Sequence, residues 1–208
     1  MENLEESVEL SRSCYYTMLR SIVETLPRES TGDLLGRKLN EHFICVNSYP
    51  IQTANRKPKS VVYNDEKAVK RVRNLNRIVN SLGGLGTYLL GGYHSHVQRK
   101  DETIERILSH NDIKHASQEL NEQKKHYWIE IILNIKEKKY QEQNQTGEFV
   151  TEHKRKLRVI LRDTLNHAYE ITISAYKVTN PKKPKIRELK VRKKQKPNSN
   201  PNTQSRTH

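Results

Sequence analysis

The chain has 208 residues and carries 38 Lys and Arg against 24 Asp and Glu, a formal net charge of +14. That length suits one domain with its own core and leaves too little for two. No run of about 18 apolar residues occurs and the N-terminus, MENLEESVEL, is acidic rather than basic-then-apolar, so neither a membrane span nor a signal peptide is expected and a cytoplasmic location is.

Cys14, Met18, Ile22 and Leu26 recur at four-residue steps, which predicts an amphipathic helix over Glu5–Thr25 closed by Pro27. Gly32–Leu39 and His42–Tyr49 are short apolar runs separated by Asn40-Glu41, the pattern of a hairpin. Ser48–Val62 has two prolines and no apolar period and reads as a loop. A second helix follows, with a predicted stripe of Ala68, Val72, Leu75, Val79 and Leu82. Lys67, Lys70, Arg71, Arg73 and Arg77 make its solvated face, and Gly83-Gly84 ends it. Thr87–Val97 (TYLLGGYHSHV) reads as a strand, Ser109 to about Lys124 as a helix, and Tyr127–Ile135 (YWIEIILNI) as a strand buried on both faces. Lys136–Lys156 is charged and Gln-rich, an exposed excursion, while Leu157–Leu161 and Tyr169–Val178 read as a hairpin extending the sheet. Cys14 and Cys45 stand apart with no C-x-x-C spacing, so they are expected as small core residues rather than as a disulfide or a thiolate metal site.

His94-Ser95-His96 carries the chemistry. On a strand, residues two apart project to one face, so both imidazoles reach a single ion. Ser109-x-x-Asp112 supplies a third ligand, Asp112, at the start of the next helix. Two neutral imidazoles and one carboxylate are the donor set of a catalytic zinc, which keeps three protein ligands and one open position. Such an ion lowers the pKa of bound water. Glu29, in LPRESTG, is placed as the general base, and Ser109 as a hydrogen-bond donor to a developing oxyanion. Taken singly, Ser109-x-x-Asp112 is also an ordinary helix N-cap with a first-turn carboxylate.

The set Glu29, His94-Ser95-His96 and Ser109-x-x-Asp112 resembles the JAMM (MPN-plus) zinc metalloprotease family, which includes the deubiquitinase of the proteasome lid and its archaeal relatives. Leu26-Pro27-Arg28-Glu29 followed by Gly32 and Leu34-Leu35-Gly36 is similar to that family's segment around its acidic residue, and Gly92-Tyr93 to its lead-in to the histidines. The resemblance implies His94, His96 and Asp112 as ligands of Zn2+, Glu29 as base and Ser109 as oxyanion support. It also implies an α/β, cytidine-deaminase-like mixed sheet flanked by helices over residues 1–178. The implied activity is hydrolysis of isopeptide or peptide bonds after the C-terminus of a ubiquitin-like protein, with a partner subunit or a homodimer expected. The charged segment Gln98–Ile107 lengthens the spacing before Ser109 and makes Asp101 a minor alternative ligand. If that insertion obstructs the metal, the expectation becomes a catalytically silent MPN scaffold in a larger complex.

The charge is unevenly placed. Pro181–His208 holds ten Lys or Arg against Glu188 alone. Residues 179–208 are therefore expected to be a disordered basic tail that binds nucleic acid non-specifically, a third functional reading compatible with either of the others.

Overall fold

A computed structural model describes residues 5–51, 54–57, 60–63, 66–81, 86–98, 107–139, 146–162 and 167–194. In chain order the elements are β1 (Ser7–Leu10), α1 (Arg12–Thr25), β2 (Thr31–Leu39), β3 (His42–Pro50), β4 (Ala54–Lys57), β5 (Ser60–Tyr63), α2 (Glu66–Ser81), β6 (Tyr88–Val97), α3 (His110–Glu122), β7 (Trp128–Lys139), β8 (Gly147–His153), β9 (Lys156–Arg162), β10 (His167–Thr179) and β11 (Lys185–Lys193).

Nine strands run β11-β1-β3-β2-β6-β7-β10-β9-β8, and β11 also pairs with β10. That last pairing closes seven strands into a ring, leaving β9 and β8 as a wing. The ring is mixed: β1 is parallel to β11 and β3, and β6 is parallel to β7. The other junctions are antiparallel. One edge of β10 is shared, with Ala168–Ile173 facing β9 and Ala175–Thr179 facing β11.

This corrects the expected fold. The protein is a closed barrel with three helices and a separate β4–β5 hairpin, not an open cytidine-deaminase-like sheet flanked by helices. The expected disordered tail is corrected with it, because Lys185–Lys193 forms the strand that closes the ring. Leu189 and Val191 are buried, and β11 is in register with both β1 and β10. The sequence pattern there is thin, with Ile186, Leu189 and Val191 unevenly spaced among many cations, which gives a local signal too weak to separate a strand from a solvated tail. Residues 195–208 lie outside the described residues.

The inner face of the barrel is filled. Ile129, Ile131, Leu133 and Ile135 of β7 meet Tyr93 of β6, Leu34, Phe43, Cys45, Val8 and Val191, and α1 adds Cys14, Tyr15, Met18, Leu19 and Ile22 to the same cluster. Neither cysteine forms a disulfide, and both are buried as expected. The start of the predicted N-terminal helix is not helical: Ser7–Leu10 within it form β1 instead, and α1 begins only at Arg12. Ser11 separates the two, its Oγ accepting from Cys14 N at 3.1 Å as the N-cap of α1. β7 alternates: its even residues face outward, where Trp128 packs with Ala116 and Leu120 of α3, and Ile132 with Leu108, Ile113 and Tyr176. So α3 covers the outer wall of the barrel, and the functional residues lie between the two.

α2 is turned differently from its predicted stripe. Val72, Leu75 and Ile78 are exposed while Val69 is buried. Arg73, expected in solvent, points inward, its guanidinium donating to both oxygens of Asp33 at 3.0 and 2.7 Å and to Glu119 at 2.8 Å. Two more departures are additions: the predicted Ser48–Val62 loop contains β4 and β5, and the predicted charged excursion contains β8, which pairs with β9.

Candidate metal centre

The strand β6 decides which residues meet. Its Tyr93 faces the barrel core, so His94 and His96, flanking Ser95, both face the outer wall. Strand β2 fixes one edge, with Thr31 opposite His94, and β7 the other, with Ile132 opposite His94 and Asn134 opposite His96. Ser95 ties the strand to the segment before β2: its N–H donates to Ser30 O at 2.9 Å and its Oγ accepts from Ser30 N at 2.8 Å.

Asp112 arrives from the first turn of α3. Ser109 is the N-cap, its Oγ accepting from Asp112 N at 3.2 Å while Asp112 Oδ2 accepts from Ser109 N at 2.7 Å. This reciprocal pair is a capping box. It holds the carboxylate over the β6 histidines, so the capping role of Asp112 and its place beside both imidazoles are compatible.

The result is compact. The Nε2 atoms of His94 and His96 are 3.1 Å apart. Asp112 Oδ1 is 3.3 Å from His94 Nε2, and Oδ2 is 3.8 Å from His96 Nε2. One donor atom from each of the three lies within 4.8 Å of the others, so the group can hold a metal ion. All three are buried or half-buried. Two nitrogens bound to one tetrahedral zinc at about 2.0–2.1 Å would be about 3.3 Å apart, close to the spacing that β6 already imposes.

Electrostatics keep the cluster polar. Burial works against a charge on His94, but hydrogen bonds to Asp112 and Glu130 outweigh it and hold its pKa up at about 10. Burial likewise opposes ionisation of Asp112, and the bonds to His94 and Ser109 overcome it, so its carboxyl stays well below the ordinary range. Both directions describe one buried ion pair that a divalent cation would replace.

Glu130 and Trp128 were not anticipated as part of this centre. Glu130 Oε1 lies 2.8 Å from His94 Nδ1, and Glu130 Oε2 accepts from Trp128 Nε1 at 2.7 Å. One signal was present in the sequence: Glu130 is the single acid inside YWIEIILNI, and a carboxylate in so apolar a strand needs buried partners.

Glu29 is buried in the turn between α1 and β2, next to Ser30 and therefore near β6. Its carboxylate is not a member of the group of three donor atoms. Asp101 and most of Gln98–Ile107 lie outside the described residues.

These findings overturn the JAMM assignment. The closed barrel does not match that family's architecture, and the cluster is a partial one of two histidines and one aspartate. The reading as a JAMM zinc metalloprotease, isopeptidase or deubiquitinase-like hydrolase is therefore withdrawn, together with the silent MPN scaffold. The roles of Glu29 as base and Ser109 as oxyanion support are withdrawn as parts of that mechanism. The ubiquitin-like substrate had rested on the same resemblance alone. No protein-family model matches the chain, and no curated protein matches it. Among solved structures, the chain is similar to the solution structure of protein DSY2949 from Desulfitobacterium hafniense, at 14% sequence identity over 91% of this chain and 94% of that one, with a TM-score of 0.52. At that identity the likeness is one of fold.

Proposed function

We propose that the protein is a zinc-binding protein whose ion is held by His94 Nε2, His96 Nε2 and Asp112. The observation that carries this reading is the pair of Nε2 atoms 3.1 Å apart with the Asp112 carboxylate beside both. Imidazole nitrogen and carboxylate oxygen suit Zn2+ better than Ca2+ or Mg2+, which favour all-oxygen shells. With three protein ligands, zinc keeps a fourth position for water or a small ligand and makes that water more acidic. The protein's own part is to present the two rings from one strand and the carboxylate from a capped helix. Metal content by mass spectrometry after zinc reconstitution and desalting tests it. About one zinc per chain is expected in the wild type, with loss in His96→Ala and in Asp112→Ala; retention in both variants would overturn the ligand set.

A second reading, nucleic-acid binding, is favoured by the wing of the barrel rather than by the tail alone. The β8–β9 turn is fastened to β11, with Arg155 O accepting from Val191 N at 2.9 Å and Arg155 Nη1 donating to Glu188 O at 2.6 Å. This frames a cavity of about 450 Å³ lined by His153, Lys154, Arg155, Lys156, Arg158 and Glu188. A cationic groove framed by these hydrogen-bonded strands suits a phosphate backbone. Fluorescence anisotropy with single-stranded RNA and duplex DNA checks it. Lys154→Glu with Arg158→Glu is expected to weaken binding at least tenfold in a chain ending at residue 194, with affinity falling steeply as salt rises. Unchanged affinity in that variant, or binding only to anionic vesicles, would defeat this reading.

A further inference from the structure

We infer that Glu130 and Trp128 are positioning residues for the metal centre, setting the tautomer of His94 so that Nε2 faces the ion. The inference rests on the zinc reading and extends it one shell outward.

A carboxylate inside a strand of fully buried Ile129, Ile131 and Ile132 is costly to desolvate unless both oxygens are satisfied. In Glu130 each oxygen has one assigned partner, His94 Nδ1 at 2.8 Å and the indole N–H of Trp128 at 2.7 Å. An ionised carboxylate only accepts, so the His94 Nδ1 position must carry the hydrogen. In a neutral ring that leaves the lone pair on Nε2, the atom turned toward His96 and Asp112.

The parallel register makes this arrangement possible. Gly92 stands opposite Glu130 and two residues before His94, on the same outer face. A Cβ built at Gly92 would lie 3.4 Å from Trp128 Cζ2 and 3.6 Å from Glu130 Oε2. The methyl group would just touch both, and any longer side chain there would press on the Glu130–Trp128 pair. The anion also adds negative charge next to the imidazole, making Nε2 a better donor.

The test is zinc affinity of the full chain by competition with a chromophoric chelator, for wild type, Glu130→Gln, Glu130→Ala and Trp128→Phe. Glu130→Gln keeps size but loses charge and sets an amide N–H against either the indole or the ring; tenfold weaker binding is expected. Glu130→Ala is expected to weaken binding by up to about a hundredfold. Trp128→Phe preserves the packing under α3 and loses only the indole donor, so a smaller loss is expected. A readout beyond affinity is the 15N spectrum of the His94 ring in the zinc-loaded protein. Wild type should show Nδ1 protonated with a fixed ring, and Glu130→Ala should broaden or shift that signal while His96 keeps its own. Wild-type zinc binding with affinity unchanged within twofold in Glu130→Gln and Trp128→Phe would overturn the inference and leave the zinc reading standing. No zinc in the wild type would overturn both. Should Glu130→Ala not fold, Glu130→Gln carries the same comparison at equal side-chain size.

Discussion

His94 lies between two carboxylates, Asp112 and Glu130, and when its ring is protonated the ion pair with Asp112 helps to hold α3 against the barrel wall. Its folded pKa, about 10, is above the ordinary 6.5, so its contribution to stability is complete below about pH 6.5 and is lost as the pH rises through 10. Asp112 has the opposite sign. Its folded pKa is below the ordinary 3.8, so its contribution is complete above that value and is lost as the pH falls further. Urea midpoints measured in chelator are thus expected to be highest from about pH 4 to 6.5 as far as this pair is concerned, and Asp112→Asn should flatten both flanks. A midpoint indifferent to pH in the wild type would contradict the pairing. Arg73 poses a larger residue-scale question. Its removal as Arg73→Ala leaves Asp33 and Glu119 buried without their cation, and a loss of about 3–5 kcal/mol in unfolding free energy is expected by chemical denaturation.

At the scale of elements, the centre depends on where α3 begins and how β6 meets β7. Ser109→Ala removes the acceptor for Asp112 N and is expected to cost about 1 kcal/mol of stability, with weaker zinc binding because the first turn that carries Asp112 frays. Calorimetry and the chelator competition measure the two effects separately. Gly91 is more severe: a Cβ there would be 1.7 Å from Ile129 O, so Gly91→Ala cannot be accommodated without separating β6 from β7. Loss of the cooperative unfolding transition is expected. Much at this scale was legible in the sequence. The two-residue spacing put His94 and His96 on one face, the Ser109-x-x-Asp112 spacing placed a carboxylate in the first turn of a helix, and YWIEIILNI read as an interior strand. Where reading failed, the cause was also local: Arg73 has the same helical phase in either orientation, and only Asp33 of β2 and Glu119 of α3 draw it inward.

For the whole molecule, β11 is the strand on which closure depends, and it leads to a sharp contrast between two truncations. A chain ending at residue 194 retains all eleven strands and is expected to unfold cooperatively near the wild-type midpoint. A chain ending at residue 180 loses Leu189 and Val191 from the core and exposes the edges of β1 and β10, so it is expected to be insoluble or only partly folded. Thermal scans by circular dichroism distinguish these outcomes; equal stability of the two would mean that β11 is dispensable. Deleting the basic C-terminal region from Pro181 onward therefore tests folding before it tests any binding.

The sequence by itself determined the members of the three-residue cluster, the strand and helix that carry them, and the apolar face of β7, because each follows from a period or a cap spanning only a few residues. Only the tertiary structure decided that the sheet closes, that a lysine-rich segment is a strand, and that Glu130 and Trp128 stand behind His94. Those outcomes depend on pairing between residues far apart in the chain, such as Val8 with Val191 and Gly92 with Glu130. The free energy of such a pairing comes from partners that local propensity cannot identify.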